Sequence, residues 1–234
     1  MKLAVNLLSS SPEPDRIVAA AARLCYSNIS AEELLGGLES EKIRGFLKHL
    51  RESGHLSPFE HVSFTFAVDG ISRVCSHQLV RHRLASYSQQ SQRYVAMTEP
   101  DVVVPPSIRD EPGLKARFIE LAAACHKAYG EFVENGVPRE DARYLLPHGW
   151  QTRLVMTMNA RELHHFFRLR LCRRAQWEIR ELARRMLVLV RCEAPLLFHL
   201  AGPDCLVDGK CGESNPCGRP YESMEELLSD ETVF

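Results

Sequence analysis

The chain has 234 residues, 45% of them hydrophobic and 25% charged, which fits a globular protein with one large core and is too short for two full enzyme domains. With 29 Lys+Arg against 30 Asp+Glu the formal net charge is -1, so nothing chain-wide attracts a nucleic-acid backbone or an anionic membrane. Of the basic residues 23 are Arg and 6 are Lys, a bias that a GC-rich coding sequence and a set of planar anion-binding forks explain equally well until the positions are considered.

The opening MKLAVNLLSSSPEP is too short and too interrupted at Asn6 for a secretory segment, and no run reaches spanning length. A cytoplasmic location with reduced thiols follows as the expectation for the eight cysteines. The periodicity then predicts helices over Asp15–Leu24 and Glu41–Glu52, the latter stopped at Gly54. Alternating Val62, Phe64, Phe66 and Val68 predict a strand over His61–Val68 that ends in a turn at Asp69-Gly70. Weak helical periodicity covers Ser72–Val80, and Arg81–Val95 reads as a loop leading into a strand. A long helix is predicted over Leu114–Glu134, a short one from Pro138, a strand over Gln151–Met158, and helices over Ala160–Leu171 and Ala175–Ala194. Helices and strands without regular alternation indicate an α+β fold, a single domain with a sheet flanked by helices. Residues 1–201 form the expected catalytic domain, and residues 202–234 a Cys/Gly-rich, acidic tail.

No dinucleotide fingerprint, P-loop, HExxH or GxSxG motif is present. The densest polar segment is QLVRHRLASYSQQSQRY, Gln78–Tyr94, with three arginines, one histidine, three serines, four glutamines and no carboxylate. Such a segment is either a solvated loop or a grip for an anion such as phosphate. In the Ala160–Leu171 helix, Asn159 and Glu162 have the form of a capping box, and Leu163, Phe166, Phe167 and Arg170 fall on one stripe. A cation on an apolar stripe requires a partner, either an internal carboxylate or a ligand. For His164 and His165 the sequence offers no matching carboxylate or thiol spacing, so no metal site is expected there.

RHRLASYSQQSQR, Arg81–Arg93, in which Ser91 follows RHR after seven residues, resembles the signature of the flavin-dependent thymidylate synthases. GHLSPFEH at Gly54–His61, NAR at Asn159–Arg161, and LR at Leu169-Arg170 with AQWEI at Ala175–Ile179 resemble that family's other blocks in order, over about residues 1–200. The resemblance implies a homotetramer that methylates dUMP to dTMP, with methylenetetrahydrofolate as carbon donor, NADPH as reductant and FAD as cofactor, and no cysteine nucleophile. It further implies that Ser57, Arg81, His82, Arg83, Gln89, Asn159, Ala160, Arg161 and His165 hold FAD. Gln78, Leu79, Val80, Arg81, Gln89, Gln90, Ser91, Gln92, Arg93, Arg143 and Arg170 would hold dUMP, with Ser91 at the pyrimidine, Arg93 and Arg143 at the phosphate, and Arg170 the catalytic residue. Ser88, Gln89 and His165 stand where some members carry Asn, Glu and Asn. A non-catalytic nucleotide- or RNA-binding module is the competing reading of the Arg81–Arg93 segment. The tail cysteines Cys205, Cys211 and Cys217, six residues apart, together with His199 are either a metal set at unusual spacing or plain reduced thiols.

Overall fold

The computed structural model describes residues 2–230. Four strands, β1 (Ala4–Ser10), β2 (Ser63–Ser72), β3 (Ala85–Gln89) and β4 (Gln151–Asn159), form one antiparallel sheet in the order β1-β2-β4-β3. Eleven α-helical segments are described: α1 (Pro14–Leu24), α2 (Ala31–Gly37), α3 (Ser40–Glu52), α4 (Arg73–Leu79), α5 (Pro106–Arg109), α6 (Pro112–Glu134), α7 (Arg139–Ala142), α8 (Ala160–Arg170), α9 (Trp177–Glu193), α10 (Asp204–Val207) and α11 (Met224–Ser229), with 3-10 turns at Ser57–His61 and Arg143–Leu145. The α+β expectation holds.

Period-two alternation builds the core. In β2 the side chains of Phe64, Phe66 and Val68 are fully buried, and opposite them Leu154, Met156 and Met158 of β4 point to the same side. On that side lie Leu163, Phe166 and Phe167 of α8 and Ile179, Leu182, Met186 and Val190 of α9, so helix stripes and sheet face close one apolar cluster. Among the groups on the other face, the Thr65 and Thr157 hydroxyls share a hydrogen bond of 2.9 Å.

Several local expectations change. β2 does not turn at Asp69-Gly70; it continues to Ser72 through a register shift between Asp69 and Ile71. Gly70 has φ +77, and a Cβ there would stand 2.7 Å from the Lys2 carbonyl oxygen, so the bulge with its close β1 neighbour requires glycine. β1 escapes the sequence reading because it is an edge strand, half-exposed along its length, which leaves no clean alternation. The short helix α2 ends in Gly36-Gly37 and lacks a long apolar stripe, but its Ser30/Glu33 capping box was a readable start signal. Within the segment expected as a loop, β3 pairs with β4 from Ala85 to Gln89. In the tail, Tyr221 and Leu227 are buried in the main cluster, so this segment is pinned to the body.

Candidate active site

Helix α4, the turn that follows it and strand β3 form a hairpin that carries most of the residues singled out above. Seven residues of α4 span about 10 Å at 1.5 Å per residue. At its far end Arg81, His82 and Arg83 project from the turn; at its near end Arg73 donates back to the Gln90 carbonyl at 3.0 Å, where β3 finishes. Tyr87 ties the hairpin together by donating its hydroxyl to the carbonyls of Leu79 and His82, at 2.8 and 3.0 Å.

The turn opens on a crevice of ≈1120 Å³ whose lining includes Arg81, His82, Arg83, Arg161, His165 and Arg170. These are six of the residues expected from sequence, brought together from two distant blocks. The carboxylates in its lining are already engaged: Glu52 with Lys48, Asp204 with Arg168, Asp208 with Arg51, and Glu162 with His82. Arg161 pairs with Glu60 at the rim. Among the described residues, Arg81, Arg83 and Arg170 therefore have no carboxylate partner. Three guanidinium groups that share one concave surface without counter-charge form a site for an anion.

Arg170 is held with unusual definition. Its Nε donates to His82 Nε2 at 3.0 Å, and His82 Nδ1 stands 3.0 Å from Glu162 Oε1. A guanidinium only donates, so His82 Nε2 must accept; the ring proton is then on Nδ1 and points to the Glu162 carboxylate. Burial, the Arg170 charge and His165 together hold the His82 pKa down to about 4, which keeps the ring in the neutral state that this geometry needs. Burial raises the Glu162 carboxyl and lowers the Arg170 guanidinium from their usual values. The partner of the cation on the apolar stripe is thus a neutral imidazole, in place of the internal carboxylate that was one of the two expectations.

Glu162 is the residue whose role the sequence concealed. The Asn159 side chain accepts from the Glu162 backbone N–H at 2.9 Å, as the capping pattern requires. The Glu162 carboxylate itself turns inward to His82. His82, Glu162 and His165 offer ligand atoms that all lie within 4.8 Å of one another, a matching spacing that the sequence reading did not find. With Arg170 donating into the same imidazole, that corner accommodates a guanidinium and disfavours a second cation. His164, by contrast, is held by packing: it is partly buried in the crevice wall, its Nε2 donates to the Leu197 carbonyl at 3.1 Å, and its ring stacks on Phe198 at 5.1 Å.

The remaining expected residues lie elsewhere. Ser57 is exposed at the start of a 3-10 turn adjoining Leu56 of the crevice wall, Ala160 is fully buried, and Asn159 is spent on capping α8. Leu79 is buried and Val80 exposed, so of these two only Val80 has a side chain accessible on the surface. Gln89 donates to Thr152 Oγ1 at 3.1 Å, and Ser91 Oγ accepts from the Arg93 backbone N–H. Arg93 and Arg143 converge on one residue: Arg93 pairs with the Glu140 carboxylate at 2.7 Å, and Arg143 donates to its carbonyl at 3.0 Å. Arg73, unflagged in the sequence, adds a third cation there, close enough to Arg143 for the two charges to interact. The expected nucleotide-phosphate residues are therefore grouped, but at the opposite end of the hairpin from the crevice.

The chain matches the family model described as thymidylate synthase complementing protein over residues 6–196. It is 50% identical over 236 residues to the flavin-dependent thymidylate synthase of Geobacter sulfurreducens, covering 100% of both chains. With the enzyme of the same description from Clostridium tetani it shares 46% identity over 245 residues, 97% of this chain and 98% of the relative. Among solved structures it resembles the UMP/dUMP methylase PolB from Streptomyces cacaoi bound with 5-Br dUMP, at 27% identity and a TM-score of 0.76 over 85% of this chain and 93% of that one. Sequence blocks, fold and relatives agree, and the chain belongs to the flavin-dependent thymidylate synthase family.

Proposed function

We propose that the protein converts dUMP to dTMP by reductive methylation, with methylenetetrahydrofolate as carbon donor and NADPH as reductant by way of FAD. The observation that carries this reading is the uncompensated set Arg81, Arg83 and Arg170 around one crevice, with Arg170 fixed by His82 and Glu162. The donor set fits a dinucleotide: Arg81 and Arg83 suit a pyrophosphate, while His82, Arg161 and His165 supply hydrogen bonds beside it. Ser57, Gln89, Asn159 and Ala160 complete the proposed FAD contacts. FAD, when bound, supplies the redox chemistry.

The chain's own contribution is electrostatic. Arg170 is the proposed catalytic residue: its guanidinium faces the uracil edge and favours the deprotonated, electron-rich ring that attacks the carbon donor. Neutral His82 leaves that charge undiminished, because its only service to Arg170 is a lone pair. Gln78, Leu79, Val80, Gln90, Ser91 and Gln92 are the proposed contacts along the nucleotide, with Arg93 and Arg143 at its phosphate. No cysteine lines the crevice, and burial pushes the nearby Cys75 thiol far up, which supports a reaction without a thiolate nucleophile.

Because the crevice and the phosphate group occupy opposite ends of one hairpin, a complete site would draw its halves from different copies, consistent with the proposed homotetramer. Helix α6 supports such association: Leu114, Leu121 and Phe132, seven and eleven residues apart, are exposed on one of its faces. Among the described residues no helix is long and apolar enough to cross a membrane, and we take the enzyme to work in the cytoplasm. The test is dTMP formation from dUMP, methylenetetrahydrofolate and NADPH, with and without added FAD. A yellow protein that bleaches with NADPH and forms dTMP supports the proposal; a colourless protein that binds nucleotide without turnover returns the binding-module reading.

A further inference from the structure

The cysteine-rich tail folds back onto the segment that directly follows the catalytic helix. Arg168 of α8 pairs with Asp204, the residue before Cys205. Arg174 pairs with Glu213 at 3.6 Å and donates to the Asn215 carbonyl, both inside the Cys211–Cys217 loop and each two residues from one of its cysteines. Asp204 in turn approaches Gly212 so closely that a Cβ there would collide with its carboxylate. Cys172 lies between Arg168 and Arg174, Cys205 beside Asp204, and Cys211 beside Gly212, so these pairings bring the cysteine-bearing segments together. Glu213, Cys217 and Cys205 lie within electrostatic reach of Cys172.

Two of these cysteines have a second feature in common. The backbone N–H of Arg174 points to the Cys172 sulfur, and that of Arg219 to the Cys217 sulfur at 3.4 Å. In both, the donor is two residues after the cysteine, so the chain wraps back over its own sulfur. Such N–H···S bonds stabilise a thiolate and serve little purpose for a solvated thiol.

We infer that Cys172, Cys205, Cys211 and Cys217 form a tetrathiolate site for a zinc ion that clamps the tail to the C-terminal end of α8. Among the four, only Cys172 belongs to the body of the fold, and it lies two residues beyond Arg170. The clamp therefore bears on the end of the helix that positions that arginine. No three of the sulfurs lie within 4.8 Å of one another, so binding requires side-chain rotation in the tail loop, residues 208–219, which has no regular structure. On binding, each thiol gives its proton to solvent as its sulfur takes the metal, and no electron moves. His199, the sequence-stated alternative ligand, is not needed for a four-coordinate set.

The test is the metal content of the purified full-length protein by mass spectrometry, together with cobalt substitution. About one zinc per chain, and a thiolate-to-cobalt charge-transfer band with Co2+, are the expected results. Cys217→Ser and Cys211→Ser should reduce the content to about a tenth or less, while Cys125→Ser on α6 should leave it unchanged. Cys211 is exposed, so its replacement keeps the test intact if Cys172→Ser fails to fold. Zinc-free protein that takes up no Co2+, zinc content indifferent to the tail cysteines, or iron with acid-labile sulfide in place of zinc would each overturn the inference. Metal content is read without dTMP formation, so this result and that of the proposed reaction stand independently.

Discussion

The two ends of the α4–β3 hairpin hold arginines in opposite conditions. At the crevice end Arg81, Arg83 and Arg170 lack carboxylates, and the one best buried among them is fixed by a line of hydrogen bonds through His82 to Glu162. At the other end every arginine is already occupied, Arg93 by the Glu140 carboxylate, Arg143 by the Glu140 carbonyl and Arg73 by the Gln90 carbonyl. The first arrangement is preorganised, with charge stored where a ligand must supply the counter-ion. The second is interim: Arg93 and Glu140 are both about half exposed, and an exposed ion pair is worth only a fraction of a kcal/mol, so a phosphate displaces it cheaply. An arginine count cannot distinguish these conditions; the partner of each guanidinium does.

Replacing Arg170 with Ala should have the largest effect, a fall in turnover of about a hundredfold or more with flavin retained, as for removal of a preorganised electrostatic group. Undiminished dTMP formation would erase the distinction between the two ends. The next effect is on stability. His82 and His164 both have folded pKa values of about 4 against 6.5 for the free side chain. The unfolded chain binds the extra protons as pH falls through 6.5, so stability is full above that value and declines between about pH 6.5 and 4, by roughly 3 kcal/mol for each histidine. Urea denaturation at pH 7 and pH 4.5 measures this; a flat profile would contradict the buried neutral imidazoles.

A smaller change separates positioning from packing at the crevice. His82→Leu should lower kcat about tenfold with little change in the KM for dUMP, since Arg170 keeps its charge but loses its hold. His82→Gln, which can still accept from Arg170 and donate to Glu162, should recover part of that loss, while equal losses in both variants would reduce His82 to a packing residue. At the other end Arg93→Ala should mainly raise the KM for dUMP, by about fivefold, because the displaced ion pair returns little.

Much of this was legible in the residues. The alternation of β2 and β4 and the stripe of α8 identified much of the core directly, because buried faces impose strict periods. β1 was hidden because an edge strand obeys no such constraint, and β3 because Ala85–Gln89 is mostly polar and is held by pairing to β4 rather than by burial. At the site, Arg170 announced itself as a cation on an apolar stripe. The carboxylate behind its His82 partner did not, since Glu162 already had a complete local explanation as a capping residue. The link from Glu162 to His82 spans 80 positions, and only the fold brings the two side chains together. Arg73 was equally invisible, because its role depends on where β3 ends.

The central claim is that flavin and nucleotide phosphate answer to different ends of one hairpin. Measured on purified protein, flavin content and dUMP affinity should therefore fall in opposite variants. Arg83→Ala is predicted to lose flavin while binding dUMP nearly as tightly as the parent chain, and the Arg93→Ala, Arg143→Ala double variant to keep its flavin while its dUMP affinity drops about tenfold or more. Variants that each lost both ligands, or lost neither, would contradict the account.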